Sequence, residues 1–192
     1  MTDYSRILNY FYPEADRLRD ILFTHSTGVA RHAIAIVDRH PELHADRDIV
    51  LAGAMVHDIG IRYCDAPGIC CHGTHPYICH GTLGGKMLRS NASTLGLSEV
   101  ETETLARICE RHTGTGLTKA QIISQRLPLP PCDLVPETIE EQIICYADKF
   151  FSKTRPAEMK QYEKAVASLR KFGEEGIKIF EEWHKLFLTR DI

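Results

Sequence analysis

LAGAMVHDIG, residues 51–60, decides how the rest of this sequence is read. Ile49, Ala52, Gly53 and Val56 fall at helical spacing and make a stripe of small side chains suited to close helix packing. Asp46 or Asp48 can cap the start of that helix, and Gly60 fits the position just past its end. His57 and Asp58 thus stand together at a helix C-terminus. They offer one nitrogen and one oxygen ligand from adjacent positions, and a carboxylate can bridge two metal ions where a histidine cannot. Four residues alone would equally suit a charged last turn, so the arrival of further ligands decides.

Working outward, residues 14–40 place Ile21, Leu22, His25, Val29, Ala33, Ile36 and Val37 on one helical face, and Pro41 ends the run. Downstream, Arg62 to Tyr77 is rich in Pro, Gly and Cys and has no period, which predicts a loop over a pocket mouth. Helical character returns at His80 in HGTLGGKMLRS. It returns again in SEVETETLARICERH, where Val100, Leu105, Ile108 and Cys109 share a face that His112 closes. LPLPPCDLVP, residues 127–136, predicts a second rim loop. Pro136 then opens a helix in which Ile144, Ala147, Asp148 and Phe151 align. The tail carries two amphipathic stripes, Met159, Tyr162, Val166 and Leu169 and then Ile177, Phe180, Trp183 and Phe187, with Gly173 between them. Apolar alternation is nowhere sustained, so no strand is expected and the fold class is all-α.

The 192 residues are enough for one well-buried core and suggest a single domain with a terminal extension. A formal charge of −3 gives no footprint for sequence-independent DNA binding, and no DNA partner is expected. The charged start lacks an apolar leader and no segment approaches a membrane-spanning run, which places the protein in the cytoplasm with no membrane partner. Seven cysteines in that setting read as reduced thiols.

Six ionisable residues fall inside or at the ends of these helices beside core positions: His25, His57, Asp58, His80, His112 and Asp148. Buried ionisable groups are costly unless paired or bound to metal, so the set needs one explanation, and a pair of metal ions supplies it. Rivals exist. His32 lies two turns from His25 on the same face, and His72 shares the tetrapeptide CHGT with His80. Cys70, Cys71, His72, His75 and Cys79 lack the paired spacing of a structural zinc site and read as a reduced loop. His40, His44 and His184 are expected to be exposed. The glycines of HTGTG, residues 112–116, read as a turn, with phosphate-facing N–H groups as the other possibility.

In this order, HSTGVARHA (25–33), AMVHDIG (54–60), HGTLGGKML (80–88) and YADKF (146–150) resemble the motifs of the HD superfamily of metal-dependent phosphohydrolases. ERHTGTGLTK and the proline-rich stretch after it resemble a subgroup of HDIG proteins without an assigned substrate. The resemblance implies an HD-domain helical bundle over residues 1–152, with 153–192 as a helical extension that packs on the domain or on a second copy in a homodimer. It implies metal ligation by His25, His57, Asp58 and Asp148, a second ion completed by His80 and His112, and Asp58 as the bridge. The cofactor is then a pair of divalent ions drawn from Fe, Mn, Zn, Ni or Co. The activity implied is hydrolysis of a small phosphorylated compound, a nucleotide by preference, by metal-activated water.

Two features depart from the family pattern. Many members read HDIGK, whereas Ile61 and Arg62 stand here, which shifts that lysine's role toward Arg62. The GYP extension of cyclic di-GMP phosphodiesterases is absent. Arg62, Arg111 and Lys149, adjacent to the ligands, are the candidate catalytic cations beside Asp58, with Lys86 a weaker one. A paired-iron oxygenase would use the same six ligands, and a non-catalytic nucleotide sensor would show losses among them that this sequence lacks.

Overall fold

In the computed structural model, which describes residues 2–188, helices carry every one of those six side chains or end beside them. They are α1 (Tyr4–Phe11), α2 (Arg17–Arg39), α3 (Arg47–Val56), α4 (His80–Leu95) and α5 (Glu99–Arg111), followed by α6 (Lys119–Ser124), α7 (Ile139–Asp148), α8 (Tyr162–Leu169) and α9 (Glu174–Phe187). Local chemistry sets most of the starts. Asp16 and Asp46 accept backbone N–H groups at the heads of α2 and α3. Ser98, Thr118 and Thr138 close reciprocal capping boxes with Glu101, Gln121 and Glu141. Each such cap is worth about 1 kcal/mol.

Helices α2, α3, α5 and α7 surround one core, in which Leu22, Val56, Ile108 and Ile144 are fully buried or nearly so. Burying each of these contributes roughly 1.5–3 kcal/mol over leaving it in water. Gly53 permits that packing, because a Cβ there would lie 2.6 Å from Ile108 Cδ1 and 2.8 Å from Ile144 Cδ1. The tail joins the same core. Phe180 stacks against Tyr146 with ring centroids 5.0 Å apart, and Leu169, Trp183 and Phe187 are buried with it. Among the described residues, no helix is long and apolar enough to cross a membrane, and all seven cysteines are free thiols.

Several sequence expectations are corrected. A short antiparallel pair, β1 (Asp65–Ala66) and β2 (Cys71–His72), folds the Cys-rich loop back on itself where no strand was expected. Two residues per strand are too few to show alternation. Helices α1 and α6 were not anticipated, and α7 begins at Ile139 with Thr138 as its cap rather than at Pro136. Val100 is 77% exposed and Met159 52% exposed, so neither joins the stripe assigned to it. His40 and His184 are half-buried, and His184 Nδ1 lies 2.7 Å from the Tyr146 hydroxyl. Gly60 is not a helix cap: α3 ends at Val56 with His57 as its C-cap, and Gly60 sits in a following 3-10 turn, Ile59–Tyr63. Its lack of a side chain serves packing, because a Cβ would lie 2.0 Å from the His80 carbonyl oxygen. The glycine therefore lets the chain after the His-Asp pair run against the start of α4, which carries the next histidine.

Candidate metal centre

The six side chains meet at one place. His25 projects from the middle of α2, and the other five stand at helix ends: His57 and Asp58 after α3, His80 first in α4, His112 capping α5 and Asp148 last in α7. Asp58 is completely buried and its two oxygens face different partners. Oδ2 lies 3.0 Å from the Nε2 atoms of both His25 and His57, while Oδ1 lies 3.4 Å from His80 Nε2 and 3.3 Å from His112 Nε2. Asp148 Oδ1 completes the first side, 3.0 Å from His25 Nε2 and 3.5 Å from His57 Nε2. Two groups of donors result, His25, His57, Asp58 and Asp148 on one side and Asp58, His80 and His112 on the other.

Helix ends explain the orientation of three rings. The last carbonyls of a helix lack intrahelical partners. His57 Nδ1 donates to the Ala54 carbonyl at 2.7 Å, and His112 Nδ1 to the Cys109 carbonyl at 2.7 Å. His80 Nδ1 donates to the Tyr77 carbonyl at 2.6 Å, using the 3-10 turn that precedes α4. In each case the carbonyl belongs to the third residue before the histidine. With the Nδ1 proton spent there, each Nε2 is turned into the site and, in the neutral ring, offers its lone pair there, the arrangement that prepares histidine to bind metal.

These residues fit divalent ions. The Nε2 atoms of His80 and His112 face each other at 2.9 Å, and those of His25 and His57 at 3.3 Å. Lone pairs that close need a proton or a cation between them. Both Asp58 oxygens are buried without a directed hydrogen bond, and while Oδ2 has the Lys153 ammonium beside it, Oδ1 is left in a costly state that a bound cation relieves. Burial pushes His80 down to about 3, aided by His112, and also lowers His112. Burial opposes charge on His57 as well, yet the adjacent Asp58 carboxylate overcomes it and pushes that ring up to about 9. Burial acts to raise Asp58, but His57 and Lys153 hold it well below the usual carboxylate range; Lys149 and His25 do the same for Asp148.

Of the three cations that adjacency suggested, the structure brings Lys149 to the cluster and places Arg62 and Arg111 away from it. Arg62 is exposed and lies over the rings of Tyr12 and Tyr63, at 5.2 and 5.8 Å, outside the cavity lining. Arg111 is held by Glu137 at 2.9 Å and Glu141 at 3.2 Å. Lys86 is exposed on α4. Successive residues on a helix point about 100° apart, which turns Arg111 away from the face that ends in His112. Lys149 does reach the site: it lies 2.7 Å from Asp148 Oδ2 and donates to the His112 carbonyl at 2.9 Å. Lys153 was not foreseen, and its Nζ lies 2.5 Å from Asp58 Oδ2. It follows α7 by one turn of irregular chain, where periodicity carries no direction.

The rivals stand elsewhere. His32 packs on Phe150, Phe151 and Tyr146, and His72 and His75 are exposed on the loop. Gly114 and Gly116 have positive φ, as a turn requires. Above the ligands opens a cavity of about 680 Å³. His80, His112 and Asp148 form part of its floor, and Tyr77, Ile78, Leu127 and Phe172 give it an apolar wall. The Cys-rich loop contributes Ala66, Gly68 and Ile69, while the proline-rich loop contributes only its first residue, Leu127.

A buried His/Asp cluster of this kind on an all-α scaffold is compatible with a divalent-metal site of the HD type. A family model for the HD domain matches residues 22–152, and the chain belongs to that family. It is 34% identical over 148 residues to an uncharacterized protein of Methanocaldococcus jannaschii, covering 74% of this chain and 75% of that one. It is 32% identical over 148 residues to a tRNA (cytidine(56)-2'-O)-methyltransferase of Picrophilus torridus, covering 77% of this chain and 36% of that protein. The protein of the same name from Thermoplasma volcanium is 30% identical over 171 residues, covering 88% and 43%. The chain thus spans less than half the length of these two relatives. Among solved structures, the HD domain of the L. monocytogenes phosphodiesterase PgpH superposes with a TM-score of 0.51 at 19% identity, covering 92% of this chain and 93% of that one. The same domain in complex with cyclic-di-AMP gives a TM-score of 0.52 at 18% identity, with 92% of each chain covered. At that identity the likeness shows the fold.

Proposed function

We propose that this chain is a metal-dependent phosphohydrolase that cleaves a phosphoester or phosphoanhydride of a small molecule of the nucleotide kind. The observation that carries the reading is the division of Asp58, with one oxygen turned to His25 and His57 and the other to His80 and His112. His25, His57, Asp58 and Asp148 would hold one divalent ion, and Asp58, His80 and His112 a second. When bound, such a pair supplies a hydroxide at neutral pH and neutralises charge developing on phosphorus and on the oxygens around it.

The protein's own groups do the rest. The Nδ1 bonds of His57, His80 and His112 to carbonyls keep the rings from turning. Lys149, buried, and Lys153, half-buried at the edge of the ligand set, present ammonium groups to a phosphate seated above it. That charge is worth most where water is excluded. Lys153 takes the part that the absent HDIGK lysine would play, from a different point in the chain. The apolar wall of Tyr77, Ile78, Leu127 and Phe172 suits a base or another flat apolar group.

Membership in the HD family supports hydrolysis, and the cyclic-di-AMP bound by the PgpH domain supports a nucleotide ligand. Methyl transfer is not carried over, because the two relatives bearing that name extend well beyond the length matched here. Oxygen activation by paired iron would use the same ligands, but the lysines beside them favour an anionic substrate. Protein loaded with Mn, Fe, Co or Ni should hydrolyse members of a broad phosphoester and phosphoanhydride panel, and Asp58→Ala should abolish that turnover. Equal turnover by wild type and Asp58→Ala would overturn the proposal.

A further inference from the structure

The cavity above the ligands does not end at Lys149 and Lys153. It continues to Lys160 and Lys171, and three of these four lysines lie beyond residue 152, outside the stretch matched by the family model. Lys160 bends back so that its Nζ donates to the Lys149 carbonyl at 3.0 Å, and Lys171 lies over the ring of Phe172 at 5.0 Å. Among the described residues, Lys149 and Lys153 pair with Asp148 and Asp58, whereas Lys160 and Lys171 pair with no carboxylate. Asp148 is the one carboxylate among the described residues that line the cavity.

Four lysines lining one space with a single carboxylate among its lining residues is a costly arrangement for the empty protein. The groups feel one another: burial holds the Lys160 ammonium below its ordinary value, Asp148 opposes that shift, and Lys149, Lys153 and Lys171 add to it. Such a field concentrates anions in the cavity. One phosphate at the ligand cluster would answer Lys149 and Lys153 but leave Lys160 and Lys171 unanswered. Ser168, from the end of α8, adds a hydroxyl to the same wall.

We propose that Lys160 and Lys171, with Lys153, form an anion subsite that receives the further phosphates of a di- or triphosphate chain. The substrate class is then a nucleotide carrying a polyphosphate, in preference to a monophosphate or a cyclic dinucleotide. This inference rests on the phosphohydrolase reading for the identity of the first subsite. The residues after 152 are thereby part of the substrate pocket and select for the length of the anion.

Inorganic tripolyphosphate and inorganic phosphate are the probes. Their binding to the Mn-loaded protein is measured by calorimetry, with free Mn²⁺ held equal in cell and syringe. Tripolyphosphate should bind at least about tenfold tighter than phosphate, and Lys160→Gln/Lys171→Gln should lose at least about tenfold in tripolyphosphate affinity with little change for phosphate. Lys171→Gln alone, at an exposed position that folding does not need, should lose part of it, and Lys178→Gln on the exposed side of α9 should lose none. Tripolyphosphate binding no tighter than phosphate, or affinity that both lysine variants retain, overturns the subsite. The phosphohydrolase reading fails separately, on Asp58→Ala: tight, lysine-dependent tripolyphosphate binding without hydrolysis of any ester would leave the subsite standing and remove the reaction.

Discussion

The ligand cluster and the lysine-lined wall above it are built in opposite ways. The cluster hangs on five helices, mostly at their ends, where unpaired carbonyls are available to orient imidazole rings. The wall comes from irregular chain after α7 and from the short helical turns of the tail, and its lysines are long side chains held by one or two contacts each. Chemistry that needs fixed geometry sits on the rigid part, and recognition that needs only charge sits on the part free to vary. Two relatives could share the first and differ in the second, which would give them one reaction and different substrates.

Substitutions that strike one region and spare the other sharpen this contrast. The largest effect is expected from His112→Ala, which removes a ligand from one side of Asp58 only. Metal content should fall from two ions to one, and turnover should fall by more than about 1,000-fold, matching the several kcal/mol a metal supplies to such a transition state. Elemental analysis beside steady-state rates checks this. Two retained ions would deny His112 its place.

Lys153→Gln should lower kcat by about 100-fold, the scale of one lost charge-stabilising donor, while both ions remain. Arg62→Gln should leave the rate unchanged, because Arg62 is exposed on Tyr12 and Tyr63. The reverse pattern would return the HDIGK lysine's role to Arg62. Stopped assays at saturating substrate separate kcat from KM for both variants.

The smallest effect concerns His32, which belongs to neither region. Burial, helped by the charge of Arg39, pushes its ring down to about 4, from about 6.5 in the unfolded chain. Between those values the unfolded chain takes up a proton that the folded one refuses. Stability is therefore intact above pH 6.5 and declines as pH falls toward 4, by at most about 1.4 kcal/mol per pH unit from this group. Urea unfolding of the metal-loaded protein across that range should show the decline, and His32→Phe should make it shallower. An unchanged slope would mean that His32 is protonated in the fold.

The same division explains what the sequence disclosed. His25, His57, Asp58, His80, His112 and Asp148 were legible because a helix ties each to its apolar neighbours at fixed angles, so burial of the neighbours implies burial of the ligand. Arg111 misled because one step along a helix turns a side chain out of the site, and Arg62 because the 3-10 turn after Asp58 carries it to the exposed face over Tyr12 and Tyr63. Lys153, Lys160 and Lys171 were illegible because the first two lie in irregular chain between α7 and α8 and the third in the 3-10 turn after α8, where no helical period aims a side chain. Gly60 was misassigned for another reason: its role is set by the His80 carbonyl, twenty residues away in sequence.

The central claim is that Asp58 stands between two metal ions, and anomalous diffraction from crystals grown with Mn or Fe tests it most directly. Two peaks per chain are expected, one among His25, His57, Asp58 and Asp148 and the other among Asp58, His80 and His112, and both should vanish in Asp58→Ala. A single peak away from Asp58, or peaks that persist when Asp58 is removed, would contradict it.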